Sequence, residues 1–246
     1  MFEWHKKEAP VFTGVTRGVG GFGFGKAAAA AAVAAPGPIP IVTDKWGFES
    51  NSLVSTGTSG STITNSGATF SATAKTGTVA LAFDGSNDYA TFAGGSSTTN
   101  VSFALWIYWR GHNPAGRSYL ADFRPGNASN GYWLIDSDNT MTIITNGSGP
   151  ENTFSFTPVN NTWEHYAFVA SDAGTAKVYR NGSLYHSVSS TGTNVNGNIV
   201  LGTYFGALGS SGQYFTNAIY DNLVYHRGTL TSADITALYT NTSTFA

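Results

Sequence analysis

A chain of 246 residues can hold one large all-β domain or two small domains. Charged residues make up only 11% of the sequence and the formal net charge is −2, which excludes a general electrostatic attraction to nucleic acid or to an anionic membrane surface. Cysteine is absent, and this excludes disulfide bridges and thiol chemistry.

The first segment, residues 1–26, combines a charged start with glycine and isolated aromatic side chains. A segment of this composition cannot bury enough apolar surface to offset the entropy that it loses on ordering. We therefore interpret it as an extended anchoring arm that docks on a partner, with glycine allowing close approach of the backbone. The residues expected to dock are Phe12, Arg17, Phe22 and Phe24. The alternative interpretation is a flexible tail.

The second segment, residues 27–40, is a run of alanine closed by the sequence PGPIP. Proline prevents a helix from continuing, so this segment is predicted to be an Ala/Pro linker. The alanine run is too short and too weakly apolar to span a bilayer, and we expect no membrane insertion. Glu3 and Glu8 in the preceding region also argue against a cleaved signal peptide. Residues 41–246 are then predicted to form one β domain.

Strong strand patterns occur within this β domain. In VSFALWIYW, residues 101–109, both alternating faces are largely apolar, as is typical of a central strand covered on each side. Similar patterns occupy residues 140–145, 163–171 and 198–205. The pair Asn181-Gly182 lies between two alternating runs and predicts a hairpin with a type I′ turn. No helix alternates with these strands, which indicates an antiparallel sandwich or jelly roll.

One helix is predicted near the C-terminus, in LTSADITALY. Thr231 can cap its first turn together with Asp234, and Leu230 can pack against Ile235 as a hydrophobic staple. Leu238 continues the apolar face. We expect a short surface helix that closes the end of the sandwich.

Three segments, in this order along the chain, resemble the laminin-G-like, concanavalin-A-like jelly-roll family. They are ALAFDGSNDYATF at residues 80–92, TWEHYAFVASDAGTAKVYRNGSLYHS at residues 162–187 and AIYDNLVYHRGTLTSADITALY at residues 218–239. The resemblance extends over roughly residues 46–240. It implies an all-β fold of two stacked antiparallel sheets, each curved and made of about six or seven strands.

The leader TGVTRGVGGFGFG has a different resemblance, to the glycine-rich leaders of structural proteins of tailed phages, particularly marine ones. This resemblance implies that other virion proteins are contacted through residues 1–40. The fold itself does not decide function, because jelly rolls of this kind include lectins, hydrolases, adhesion modules and virion proteins.

The acidic residues, histidines and serines of the chain do not form a catalytic motif. A glycoside hydrolase needs two carboxylates that flank the scissile bond, and hydrolytic members of the family that the chain resembles use a Glu-x-Asp-x-x-Glu arrangement. None of the five glutamates has that spacing. The five histidines fall on separate segments without the spacing of metal ligands, and no serine has the context of a nucleophile elbow. We therefore expect a protein that is not an enzyme.

A structural calcium ion is implied by the resemblance, because relatives often hold one near the first and last strands through carboxylate and backbone oxygens. Asp221, in IYDNLVY, matches that position, and Glu49, in WGFESNS, is a possible partner. The alternative is that Asp221 only caps a turn or bonds backbone amides.

Sugar binding would use aromatic side chains on the concave face, where rings can stack on sugar rings. Trp106 and Tyr108 share one face of the strand at residues 101–109, and Tyr132 and Trp133 lie on a neighbouring segment. The alternative is that Trp106 belongs to the core.

These observations predict a non-enzymatic structural protein of a phage particle, on the capsid or the tail, that displays a lectin-like domain at the virion surface. Many copies on one particle would gain avidity for glycans. We expect a homo-oligomer and no nucleic-acid partner. The alternative is an extracellular carbohydrate-binding or adhesion module of bacterial origin.

Overall fold

The structure, a computed structural model, describes most of the predicted β domain. The described residues are 38, 40–96, 98–112, 116–124, 130–146, 151–171, 174–189, 197–203 and 213–241. They belong to the unit formed by residues 36–246. The residues expected to dock, Phe12, Arg17, Phe22 and Phe24, lie outside the described residues, so their role stays a prediction.

Within the described residues, two antiparallel sheets stack as a jelly-roll sandwich, which confirms the predicted fold class. The eight-stranded sheet contains β1 (Asp44–Trp46), β3 (Thr69–Ser71), β4 (Ala80–Asp84), β6 (Val101–Trp109), β11 (Trp163–Ser171), β12 (Thr175–Arg180), β13 (Ser183–Ser189) and β15 (Asn217–His226). The seven-stranded sheet contains β2 (Thr64–Ser66), β5 (Tyr89–Ala93), β7 (Arg117–Asp122), β8 (Asn130–Asp136), β9 (Thr140–Asn146), β10 (Asn152–Ser155) and β14 (Asn198–Leu201). A 3-10 turn spans Glu49–Asn51, and the helix α1 spans Ser232–Thr240.

The strand order shows how the chain builds each sheet. The first sheet has the order β13-β12-β11-β6-β15-β4-β3, with β1 also pairing with β15, and the second has the order β10-β9-β8-β7-β14-β5-β2. In the first sheet the register sets Trp106 of β6 opposite both His165 of β11 and Asp221 of β15. In the second sheet the run from β7 to β10 is a meander, so consecutive strands are neighbours.

The core lies between the sheets and follows from the alternation in the strands. Phe103 on β6 meets Trp133 on β8 edge-on, with ring centroids 6.0 Å apart, and Phe168 on β11 stacks against the same indole. All three rings are fully buried. Each such side chain contributes about 1.5–3 kcal/mol relative to an exposed one, so these contacts hold the two sheets together.

The other face of β6 is covered by α1, as expected for a central strand. Ile235 and Leu238 of the helix pack in one buried cluster with Ala104 and Ala167 of the first sheet. The predicted capping box is present, because the Thr231 side chain accepts from the backbone of residue 234 while that residue's carboxylate accepts from the backbone N–H of Thr231. No helix in the described part of the chain is long and apolar enough to cross a membrane.

The predicted type I′ hairpin joins β12 to β13. Asn181 and Gly182 have φ values of 49° and 78°, the positive pair that this turn requires. A Cβ on Gly182 would also lie 2.8 Å from the ring of Tyr239 in α1. The turn therefore needs glycine both for its backbone and for the approach of the helix.

Candidate functional site

A cluster of tyrosine rings lies on the outer face of the seven-stranded sheet. Tyr119 of β7 contacts Tyr132 of β8 with ring centroids 5.3 Å apart, and it stacks on Tyr214 at 6.1 Å. The pairing of β7 with β8 shifts its register between Tyr119 and Ala121. Because of this irregularity, Tyr119 and Asp122 both lie on the outer face although they are three residues apart. We call Tyr119, Tyr132, Tyr214 and Arg124 the tyrosine cluster.

Arg124 covers two rings of the tyrosine cluster. Its guanidinium carbon lies 4.0 Å from the ring centroid of Tyr132 and 5.7 Å from that of Tyr119. The guanidinium donates to both carboxylate oxygens of Asp122, at 2.8 and 3.2 Å, and Asp122 is fully buried. This bidentate pair holds the guanidinium in one orientation above the rings.

Glu151 extends the cluster with an exposed carboxylate. The Tyr132 hydroxyl donates to Glu151 Oε1 at 2.9 Å. Burial raises the pKa of Tyr132, and its bond to Glu151 raises that pKa further. Burial also raises the pKa of Tyr119 to about 12. Both phenols therefore stay protonated near neutral pH, and their hydroxyls remain donors.

An exposed ion pair forms the rim of this face. The Arg117 Nε atom lies 2.9 Å from Asp136 Oδ1, and the two side chains are 48% and 18% exposed. Burial raises the pKa of Asp136, while Arg117 lowers it. The neighbouring hydroxyls of Thr142 and Thr153 bond each other at 2.9 Å. Tyr119 and Tyr132 themselves are buried, at 3% and 5% exposed, so the donors and acceptors that solvent reaches on this face are those of its rim. A donor and an acceptor side by side at the rim suit a polyhydroxylated ligand.

Three of the residues predicted to bind sugars are not brought together on one face. Trp106 lies on the outer face of the other sheet, where it is 4% exposed and stacks on Tyr239 of α1 at 5.4 Å. Tyr108 lies on that same face, half-buried against Trp163 at 5.5 Å. Trp133 points into the core and has no exposed surface.

Of the tyrosine cluster, the sequence indicated only Tyr132 as an aromatic residue for sugar binding. In β8, Trp133 alternates with Tyr132, so the core position of the tryptophan directs the tyrosine outward. The positions of Arg124 and Tyr214 carry no such signal, because both residues lie outside the strands.

The two residues predicted to bind calcium both hold the chain segment at residues 75–79. Asp221 accepts from the backbone N–H groups of Lys75 and Thr76, at 2.8 and 3.1 Å. Glu49 accepts from the backbone N–H groups of Thr78 and Val79, at 3.0 and 3.3 Å, and from the hydroxyl of Thr78. The pKa of Asp221 is raised to about 6 by burial, an effect that its hydrogen bonds from backbone amides only partly offset.

These contacts do not fit a bound cation as they stand. Amide N–H groups present the positive end of their dipole, which suits a carboxylate and opposes a calcium ion at the same oxygens. Among the described residues, no group of three or more His, Cys, Asp or Glu is placed to hold a metal ion. The hydrogen bonds correspond to the alternative in which Asp221 bonds backbone amides, and calcium binding stays a prediction.

Comparison with known families gives one match that covers most of the chain. The profile of a laminin G family, described as the concanavalin A-like lectin/glucanases superfamily, matches residues 84–236. No curated protein sequence matches this chain.

Solved structures with the same fold include three of botulinum neurotoxin binding domains, two of serotype D and one of serotype G. The receptor-binding domain of neurotoxin D has a TM-score of 0.65, and the serotype G binding domain has 0.64. The serotype D ligand-binding domain in complex with N-acetylneuraminic acid has 0.63. Each is 15% identical to this chain and covers 82% of it. This chain spans only 51–53% of those domains, so the likeness concerns the fold.

Proposed function

Because the chain belongs to the concanavalin A-like lectin/glucanases superfamily, we propose that its sandwich is a carbohydrate-binding module. The proposed binding surface is the solvent-accessible edge of the tyrosine cluster, formed by Arg117, Asp136, Glu151 and Tyr214 on the outer face of the seven-stranded sheet. The observation that carries the proposal is the partly exposed pair Arg117–Asp136 beside buried tyrosine rings that Arg124 and Asp122 hold in place.

The chemistry of a pyranose fits this surface. Two adjacent sugar hydroxyls can donate to Asp136 and accept from Arg117, because these side chains offer an acceptor and a donor next to each other. The partly exposed ring of Tyr214 offers an apolar surface for the C–H groups of the sugar. Glu151, which accepts from the Tyr132 hydroxyl, adds a further acceptor.

The charge of this surface favours a neutral glycan. Both guanidinium groups, Arg117 and Arg124, are already paired with carboxylates, and Glu151 adds a negative charge. The serotype D toxin domain is described in complex with N-acetylneuraminic acid, an acidic sugar. An acidic sugar on this surface of the present chain would have to displace a carboxylate from its arginine, which costs the stronger charge-assisted bonds.

A glycan array probed with the full chain tests this function. We expect binding to neutral glycans, and we expect Arg117→Ala to weaken it at least about tenfold through loss of a charge-assisted hydrogen bond. Lys45→Ala, on β1 of the other sheet, is the matched control and should keep wild-type affinity. The proposal is contradicted if both variants lose binding, if neither variant does, or if the full chain binds no neutral glycan on the array.

The module is proposed to bind without catalysis. The carboxylates of this face are engaged as hydrogen-bond acceptors, since Asp136 pairs with Arg117, Asp138 accepts from the hydroxyl of Thr140 at 2.6 Å and Glu151 accepts from the hydroxyl of Tyr132. An acid and a nucleophile for glycoside hydrolysis would have to face each other across the sugar instead.

The finer proposal concerns where the module works. We propose that residues 1–26 anchor it to other virion proteins on a phage capsid or tail, so that the module is displayed at the virion surface as a homo-oligomer. The glycine and phenylalanine content of the arm and its resemblance to phage leaders support this. An extracellular module of bacterial origin is the competing location.

Co-sedimentation separates these two locations. The full chain and a truncated chain that starts at Ile41 are each mixed with phage particles that lack this protein. Binding of the full chain alone supports the anchor, whereas equal binding of both, or of neither, contradicts it. Sedimentation velocity of the full chain measures the oligomeric state in the same preparation.

A further inference from the structure

A second polar hollow lies on the opposite side of the sandwich from the tyrosine cluster. Its floor is formed by Ser171 of β11 and by Thr175, Lys177 and Tyr179 of β12, and its wall is the segment 229–232 that leads into α1. The hollow encloses about 380 Å³. This volume falls at the lower end of the range of about 300–1,000 Å³ found for small-molecule sites, so a single sugar unit can fit.

The lining is rich in hydroxyl groups and contains one cation. Six of its nine lining residues carry a hydroxyl, and Lys177 supplies the ammonium. The remaining two are the aliphatic residues Val169 and Leu230, and none of the nine is acidic. The Thr231 hydroxyl is engaged in the capping box and the Thr229 hydroxyl donates to Asn100, so the hydroxyls offered to a ligand are those of Thr175, Tyr179 and Ser232. Each of them can both donate to and accept from a polyol.

Lys177 differs in its pairing from the arginines of the two sheets. The three ion pairs among the described residues use Arg117, Arg124 and Arg180. None of them uses Lys177. In α1, which follows the wall segment, the carboxylate of Asp234 is engaged in the capping box with Thr231. Lys177 is therefore the cation that the lining of this hollow offers to a ligand.

From these observations we propose that the hollow binds a small polyhydroxylated anion, either a sugar acid or a sugar phosphate, whose acidic group pairs with Lys177. The hydroxyls of the lining bond the hydroxyls of the ligand. This site is separate from the proposed glycan surface, which lies on the other sheet and favours neutral ligands. The proposal therefore goes beyond the proposed function and can fail without it.

The test is a titration of the full chain, followed by NMR of the backbone amides, with glucuronate, glucose 6-phosphate, glucose and inorganic phosphate as separate probes. We expect shifts at residues 175–179 and 229–232 with the sugar anions, and binding at least about tenfold weaker for glucose, which lacks the charge-assisted bond. A response to only one of the two sugar anions supports the site and identifies the acidic group. Inorganic phosphate that binds as tightly as the sugar anions overturns the role of the hydroxyls.

Variants of Lys177 test the role of its charge in binding the anion. Lys177→Gln should weaken glucuronate or glucose 6-phosphate at least about tenfold, while Lys177→Arg keeps most of the affinity. Lys45→Gln, the same change at a lysine that lines another hollow, is the matched control and should bind like the wild type. Arg117→Ala should also leave this binding unchanged, which distinguishes the two sites. Equal binding by Lys177→Gln, or glucose binding as tightly as the anions, overturns the proposal.

Discussion

His165 is a titratable side chain buried without charge compensation. It lies on β11 beneath α1, 2% exposed, with its ring edge-on to Trp106 at 5.4 Å. Its Nδ1 atom and the indole nitrogen of Trp106 have no hydrogen-bond partner among the described residues. Burial lowers the pKa of His165 from 6.5 to about 3, because the low-dielectric surroundings penalise the imidazolium. The native state therefore keeps this ring neutral while the unfolded state protonates it.

This difference predicts acid sensitivity. Below pH 6.5 the unfolded chain binds a proton at His165 that the native chain does not, so the free energy of unfolding falls as pH falls. Between pH 7 and pH 5 the loss attributable to His165 is about 2 kcal/mol. Urea unfolding at pH 7 and at pH 5 gives the drop in the free energy of unfolding for each protein. This drop should be about 2 kcal/mol smaller in His165→Phe than in the wild type. An unchanged pH dependence in the variant would contradict the neutral, buried state.

Asp221 changes stability in the opposite direction. Its pKa of about 6 in the native state lies above the ordinary value of 3.8, so the native chain holds this proton where the unfolded chain has released it. The contribution of Asp221 to stability therefore falls as pH rises from about 4 to about 6. The acid sensitivity caused by His165 is thus partly offset in the wild type, and it is best measured by comparing variants.

The segment at residues 75–79 illustrates how two carboxylates can position a loop. Asp221 accepts amides at the start of the segment and Glu49 accepts amides at its end. Between them, Gly77 has a φ of 62°, and a Cβ there would lie 2.1 Å from Glu49 Oε1. Lys75, in the same segment, places its ammonium 4.0 Å from the ring centroid of Trp106. The loop is therefore held over the sheet by hydrogen bonds and a cation–π contact.

This loop gives a direct test of the calcium prediction. If N–H groups occupy the carboxylate oxygens as the structure has them, the melting temperature is the same in calcium chloride and in EDTA. Glu49→Gln should lower the free energy of unfolding by about 1 kcal/mol under both conditions, through loss of charge-assisted bonds to the loop. A melting temperature that rises with calcium in the wild type, and no longer does so in Glu49→Gln, would instead support a calcium ion at this pair.

The two sheets together show what the sequence could predict. Strand alternation, the Asn181-Gly182 turn and the capping box at Thr231 are local signals, and all three are present in the structure. Alternation divides a strand into two faces, but it does not say which face another element will cover. Trp106 was therefore considered for sugar binding although α1, far along the chain, lies over it. The outward position of Tyr119 together with Asp122 depends on a register shift, which has no local signature in this strand.

Two neighbouring residues of β8, Tyr132 and Trp133, allow the outer face and the core face of the seven-stranded sheet to be tested separately. Trp133 joins the sheets in the core, whereas Tyr132 faces outward and bonds Glu151. Trp133→Leu should lower the free energy of unfolding by about 3 kcal/mol, because it leaves a cavity, and should not change glycan affinity in the folded protein. Tyr132→Phe should cost only about 1 kcal/mol of stability and should weaken glycan binding several-fold, because Glu151 loses the bond that orients it. Urea unfolding and glycan titration of both variants measure the four values. If folded Trp133→Leu binds glycan more weakly while Tyr132→Phe binds it unchanged, Trp133 and not the outer face contributes to the sugar site, and the proposed site is contradicted.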